Sequence, residues 1–257
     1  MPLSPADWHA RYTQQAGWTR QIRQYLLDKA SVSGARRALE VGCGSGAVLV
    51  DLAAACTGAV HGLDLDISYL ELARQHAPRA RLTCADAHCL PYHTASFDLT
   101  GCHFLLLWVD KPERVVAEMK RVTRPGGVVL LMAEPDYGGR IDYPQELEIL
   151  GEWQAEALTR QGANPQVGRR LAGLLSRAGC VEIECGVLGG EWSTPPSVQD
   201  WQQEWQVLRA DLERLPEVWP AQRELVDSLQ EIDRRAWERG ERTLFVPTFY
   251  AWGRVPK

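Results

Sequence analysis

The stretch LEVGCGSGAV, residues 39–48, limits the possible folds more than any other part of the chain. Its first residues close an apolar run, RRALEVG, that reads as a strand. Gly42, Gly44 and Gly46 follow at alternate positions. GAVLVDLAAAC then places Val48, Leu49, Leu52 and Ala53 on one helical face. A strand that passes through glycines into a helix is the first half of a β-α-β unit and calls for a parallel neighbour. The glycines allow a tight turn and close backbone approach to a ligand, and the helix start offers free N–H groups there. Gly42 to Ala47 also fits G-x-G-x-x-A, the dinucleotide fingerprint, so the turn alone leaves the ligand open.

The alternation continues. AVHGLDL is a strand, and ISYLELARQHA is a helix closed by Pro78. ARLTCAD and FDLTGCHFLLL are strands, PERVVAEMKRV is a helix stopped by Pro125-Gly126-Gly127, and VVLLMAE is a fifth strand. The spacing predicts a mainly parallel sheet with helices on both faces. Residues 1–33 read as helical, with Trp18, Ile22, Tyr25 and Leu26 at helical spacing, and polar enough to lie over a surface. After Glu134 the pattern changes. PDYGGRIDYP is a loop, QELEILGEWQAEALTRQG and VGRRLAGLLSRAG are helices, and VEIECGVL is a sixth strand. Residues 197–240 are amphipathic helices interrupted by Pro216 and Pro220, and TLFVPTFYAWGRV is a final strand. The chain therefore reads as one domain over 1–257. A ligand-binding core spans about 34–136, with helical cap elements at about 1–33, 140–165 and 197–240.

At 257 residues and 45% hydrophobic content the chain can bury a sizeable core. The formal net charge of -5, with no basic cluster, argues against a nucleic-acid partner. The apolar runs are too short to cross a membrane, and the first residues carry no signal pattern, so a cytoplasmic location is expected. Seven cysteines without C-x-x-C, and six scattered histidines, point to reduced thiols and no metal site.

Three carboxylates discriminate between ligands. Glu40, two residues before Gly42, would repel a pyrophosphate and suits a cationic ligand such as an amino-acid ammonium. Asp64 ends the second strand about 20 residues past the glycines, where a carboxylate accepts from both hydroxyls of an adenosine ribose. Asp66 is placed to cap the next helix. Asp86 ends the third strand. It can accept from an adenine amino group while the backbone N–H of Ala87 donates to the ring, or it can simply form a turn.

The set E-V-G-C-G-S-G, G-L-D-L-D, A-D-A-x-x-L-P, S-F-D and R-V-T-R-P-G-G resembles the class I S-adenosylmethionine-dependent methyltransferases, in particular the small-molecule type related to ubiquinone/menaquinone C-methyltransferases. The likeness covers roughly residues 35–135. It implies a Rossmann-like α/β fold, a seven-stranded, mostly parallel sheet whose last strand is antiparallel, with helical cap insertions. It implies S-adenosylmethionine as cofactor and a small organic molecule as methyl acceptor. By the same resemblance Glu40, Gly42 and Cys43 border the methionine moiety, and Gly44 and Gly46 let the cofactor lie over the turn. Asp64 binds the ribose, Leu65 packs on adenine, Asp86 and Ala87 read its edge, and His103 faces the methionine and the reacting centre.

His103 is the best-placed general base, with cofactor contact or a buried structural histidine as its other readings. Relatives carry a histidine a few residues later, where this chain reads LLLWVD, so Trp108 is a candidate pocket wall. Glu134, Tyr137 and Tyr143 around AEPDYGGRIDYP are candidate acceptor contacts. Tyr12, Trp18 and Arg23 are candidates for a lid. Trp201 and Trp205, four apart, read as cap core rather than a cation cage. Three rival functions remain at this level: an NAD(P)-dependent oxidoreductase, a non-catalytic S-adenosylmethionine-binding regulator, and a cofactor-fold enzyme that catalyses a cyclisation or decarboxylation without moving the methyl.

Overall fold

The computed structural model describes residues 5–188 and 198–257, so residues 1–4 and 197 of the expected cap segments lie outside the described residues. The order of the main sheet follows from the first crossovers. Strand β1 (Arg37–Val41) passes through the glycine turn to helix α3 (Leu49–Ala55) and returns as β2 (Ala59–Asp64), parallel to β1. Helix α4 (Ile67–His76) leads to β3 (Arg81–Cys84) at the edge. The chain then crosses to the other side of β1 with β4 (Phe97–Cys102), α5 (Pro112–Val122) and β5 (Thr123–Pro135). Helix α7 (Leu171–Arg177) precedes β7 (Val181–Leu188), and β9 (Thr248–Arg254) inserts between β5 and β7, antiparallel to both. The sheet order is 3-2-1-4-5-9-7, the mostly parallel seven-stranded α/β arrangement expected, with its last strand antiparallel.

Alternation along the strands feeds two cores. Leu39, Val41, Val129 and Leu131 point to the face covered by α5 and α7. Ala38, Leu130 and Met132 point to the face covered by α2 (Arg20–Lys29), α3 and α4. A third core lies outside the sheet. It joins α6 (Glu148–Arg160), α8 (Val198–Leu212) and α9 (Arg223–Arg239) through Leu150, Trp205, Leu212 and Val226. Residues 5–29 form two helices, since α1 (Pro5–Trp18) and α2 are separated at Thr19.

Three elements differ from the sequence reading. The helix after the glycine turn starts at Leu49, because Gly46 at φ +85° cannot belong to a right-handed helix. Strand β4 stops at Cys102 instead of running to Leu107, because Phe104 takes φ +51° and the amides of residues 105–107 turn toward Glu134. TLFVPTFYAWGRV is two strands. Thr243–Phe245 forms β8 and pairs with β6 (Ile141–Tyr143) in a separate two-stranded sheet, so PDYGGRIDYP contains a strand. Pro247 separates β8 from β9, since proline brings no N–H to a ladder.

Candidate functional site

The C-terminal ends of β1, β2 and β4 and the glycine turn meet at the point where strand order reverses, the crevice that open α/β sheets use for ligands. Gly42, Gly44 and Gly46 have φ of +71°, +48° and +85°. The turn is anchored from below, since the N–H groups of Gly42 and Cys43 donate to the Leu63 carbonyl at 2.7 and 2.9 Å. A side chain on Gly42 would collide with Leu105, its Cβ 2.6 Å from Cδ1. A Cβ on Gly46 would stand 3.2 Å from the Cα of Ala73.

Asp64 holds this turn. Its Oδ2 accepts from the N–H of Gly44 at 2.7 Å, and its Oδ1 from that of Asp66 at 3.0 Å. The Asp66 carboxylate caps α4 through Ser68. Leu65, 71% exposed, stands beside Asp64 as an open apolar surface. Asp86 is exposed, and its Oδ1 accepts from the backbone and the ring of His88. Those bonds, the backbone one first, keep the Asp86 carboxylate below its ordinary pKa. Ala87 is buried behind it.

Glu40 is buried, and its Oε2 carries no hydrogen bond among the described residues. Burial pushes its pKa well above the usual carboxylate range, against the opposing pull of the Arg23 guanidinium. Arg23 is buried as well. It donates to the Ala16 carbonyl, to the Thr19 hydroxyl and to Asp51, and its Nε is unpaired among the described residues. Arg23 thus ties α2 to α3 from inside, a structural role within the expected lid.

Helix α1 lies over the glycines. His9 Nδ1 is 2.7 Å from the Ser45 hydroxyl, and its ring stacks on His76. The Tyr12 ring covers Gly44, and its hydroxyl is hydrogen-bonded to Tyr69. Burial, and then that bond, raise the Tyr12 pKa, so the phenol stays neutral. Thr19 holds His103, with Oγ1 2.8 Å from Nε2. Sequence reasoning missed His9, Ser45 and Thr19. Only the four-residue spacing of Thr19 and Arg23 hinted at a shared face.

Two expectations are corrected here. Burial, helped by Arg23, lowers the His103 pKa to about 3. The imidazole is therefore neutral and a weak proton acceptor, which counts against a general base. Glu134 does not face the acceptor side. It is fully buried and accepts from the N–H groups of Leu105, Leu106 and Leu107 at 2.9, 2.7 and 3.3 Å, fixing the bend after β4. The other acceptor candidates separate. Trp108 and Tyr143 are about half exposed, Trp108 on the turn before α5 and Tyr143 on β6. Tyr137 is close enough to Arg11, Arg140, Asp211 and Glu204 to feel their charges. Trp18 lies on the face of α1 turned to the cap, with the Arg11 guanidinium 4.8 Å from its ring centre.

Residues 39–131 match the model of a methyltransferase domain. A 37.1 kDa uncharacterized protein of a Streptomyces fradiae transposon is 34% identical over 177 residues, 65% of this chain and 51% of its own. The demethylmenaquinone methyltransferase of Renibacterium salmoninarum is 33% identical over 124 residues, 48% of this chain and 52% of its own. The chain thus spans about half the length of the curated relatives it matches. The geranyl diphosphate C-methyltransferase of Streptomyces coelicolor shares the fold with a TM-score of 0.58 at 15% identity, covering 92% of this chain and 79% of its own.

Proposed function

The chain carries a class I S-adenosylmethionine-dependent methyltransferase domain, and we propose that it moves the methyl group of that cofactor to a small organic acceptor enclosed by the helical cap. The observation that carries the reading is Glu40. A buried carboxylate oxygen without a partner, beside three left-handed glycines, is a costly arrangement that a cationic ligand group relieves. A pyrophosphate at the same place would meet this carboxylate at short range, which disfavours a dinucleotide.

In this reading Glu40, Gly42 and Cys43 border the methionine moiety, with Glu40 taking its ammonium. Gly44 and Gly46 give the nucleoside room, and Asp64 accepts from the ribose hydroxyls while it holds the turn. Leu65 covers one face of adenine, and Asp86 with the Ala87 N–H reads its edge. His103 borders the reacting centre as a neutral wall held by Thr19. Bound S-adenosylmethionine supplies an electrophilic methyl on a sulfonium. The chain's work is to hold the acceptor in line and keep water out. Alignment of this kind supplies up to about 7–11 kcal/mol of barrier lowering in well-oriented systems. Tyr12 and His9 on α1 close over the turn and serve the exclusion of water.

Calorimetry tests the reading. S-adenosylmethionine binds the intact chain, NAD and NADP do not, and Asp64→Ala weakens binding by about 100-fold, the loss of two hydrogen bonds to a charged acceptor. Undiminished binding by Asp64→Ala removes the ribose assignment. Binding of NAD in place of S-adenosylmethionine removes the proposal.

A further inference from the structure

A cavity of about 240 Å³ opens between α1, α8, α9 and β8. Its walls include Trp18, Trp237, Asp200, Glu204 and Arg242. A narrower cleft continues it inward past Arg140 and Asp233. The volume lies just below the ~300–1,000 Å³ of drug-sized sites and suits a metabolite. Trp18 is one residue from Thr19, which holds His103 at the end of β4.

The cavity contains arginines, yet it is poorly equipped for an anion. Arg242 donates from Nε to Asp233, from Nη2 to Asp142, and from Nη1 to the carbonyls of Tyr143 and Thr243. Arg140 donates from Nε and Nη2 to Asp142, and from Nη1 to Gln154. Every nitrogen of both guanidiniums is engaged, and both side chains are buried among acids. An anion entering here would lose its water and gain few donors. A cation meets different partners. Trp18 is 53% exposed and already attracts one guanidinium to its ring. Glu204 lies on the same wall, one of its carboxylate oxygens accepting from that same guanidinium, Arg11, and Asp200 brings a second acid to the lining. Neither Trp201 nor Trp205 lines the outer cavity, and Trp205 reaches only the inner cleft; the Nε1 groups of both donate to Asp233.

We propose that this cavity is the acceptor site and that it selects an organic amine, whose methylated product is an ammonium. The inference rests on the methyl-transfer reading above. The nucleophile is the free amine. Its lone pair forms the N–CH₃ bond as the S–CH₃ bond breaks, sulfur keeps that bonding pair, and the positive charge passes from sulfur to nitrogen. An acceptor that enters as an ammonium first releases its proton to water. The indole faces and Glu204 stabilise the charge that arrives on nitrogen.

The test is calorimetry on the full chain with and without saturating S-adenosylhomocysteine. The probes are choline, its neutral isostere 3,3-dimethylbutan-1-ol, and inorganic phosphate. Choline is expected to bind about tenfold more tightly than the alcohol, the size of one desolvated cation–π contact. Glu204→Gln and Trp18→Leu should each remove most of that preference, with unchanged circular dichroism and unchanged affinity for S-adenosylhomocysteine. Equal binding of choline and the alcohol overturns the proposal, as does tighter binding of phosphate or a preference that both variants retain. Failure of S-adenosylhomocysteine to bind counts against the methyl-transfer reading instead. The probe comparison made without it then still decides whether the cavity selects cations.

Discussion

Replacing Glu134 should destabilise the chain in a pH-dependent way that can be worked out from its surroundings. The carboxylate is fully buried and collects three backbone N–H groups, those of Leu105, Leu106 and Leu107. Burial outweighs those donors and pushes its pKa from 4.5 up to about 8. Between these two values the folded chain holds a proton that the unfolded chain has released. The contribution is therefore fully present below pH 4.5 and is lost as pH rises through about 8, by up to about 4–5 kcal/mol. Glu134→Gln removes the titration. Its one carbonyl oxygen can keep the two shorter bonds, while its amide nitrogen opposes the N–H of Leu107, at a cost of about 1–2 kcal/mol. Glu134→Ala strands all three donors, at about 1–3 kcal/mol each before relaxation. That sum is a large part of an ordinary domain's stability, so this variant should be close to unfolding. The assay is urea denaturation of the wild type and both variants at pH 5.5 and 8.5. Wild type should lose several kcal/mol relative to Glu134→Gln between the two conditions. Parallel pH dependence of the two proteins refutes the protonated carboxyl. A Glu134→Ala variant within 1 kcal/mol of wild type refutes the anchoring role.

Further outcomes follow from the same geometry. Gly42→Ala puts a Cβ 2.6 Å from Leu105 at φ +71°, so it should lower stability by about 2–3 kcal/mol. It should also weaken cofactor binding, and a thermal melt with calorimetry reads both, unchanged values contradicting the crowding argument. The ring ¹⁵N signals of His103 should show no titration between pH 5 and 8, because its pKa lies at about 3. A step near pH 6.5 would restore it as a candidate base. In Asp64→Ala the melting temperature without any ligand should fall by about 4–10 °C, since the carboxylate ties Gly44 to Asp66 before any ribose arrives. An unaltered melt would leave Asp64 with a ligand role alone.

The glycine turn and the strand ends around it were legible because their signals are local. The strand, the alternate glycines and the strand-end acids Asp64 and Asp86 lie in short windows where period and turn chemistry decide the backbone. Where the reading went astray, a distant partner had decided. FLLL after β4 has the composition of a strand, and what bends it is Glu134, about 30 residues away. TLFVPTFYAWGRV has the period of one strand, and β6, a hundred residues earlier, takes its first part. The contacts of α1 with Ser45 and of Thr19 with His103 span 36 and 84 residues. No window of sequence contains them.

The same limit separates the two buried glutamates at the heart of the molecule. Glu40 and Glu134 lie near the ends of β1 and β5, the two strands that flank β4, and both are buried with raised pKa values. Sequence context assigned one to the cofactor and the other to the acceptor with similar reasons. What distinguishes them is hydrogen-bond accounting. Glu134 is satisfied by three amides of its own chain and so explains itself as structure. Glu40 has an oxygen for which the described residues supply no donor. A chain that folds at this cost gains by it only when a ligand group completes the bond. The unpaired oxygen therefore carries more functional weight than the glycines beside it, which would turn the chain equally well for a dinucleotide.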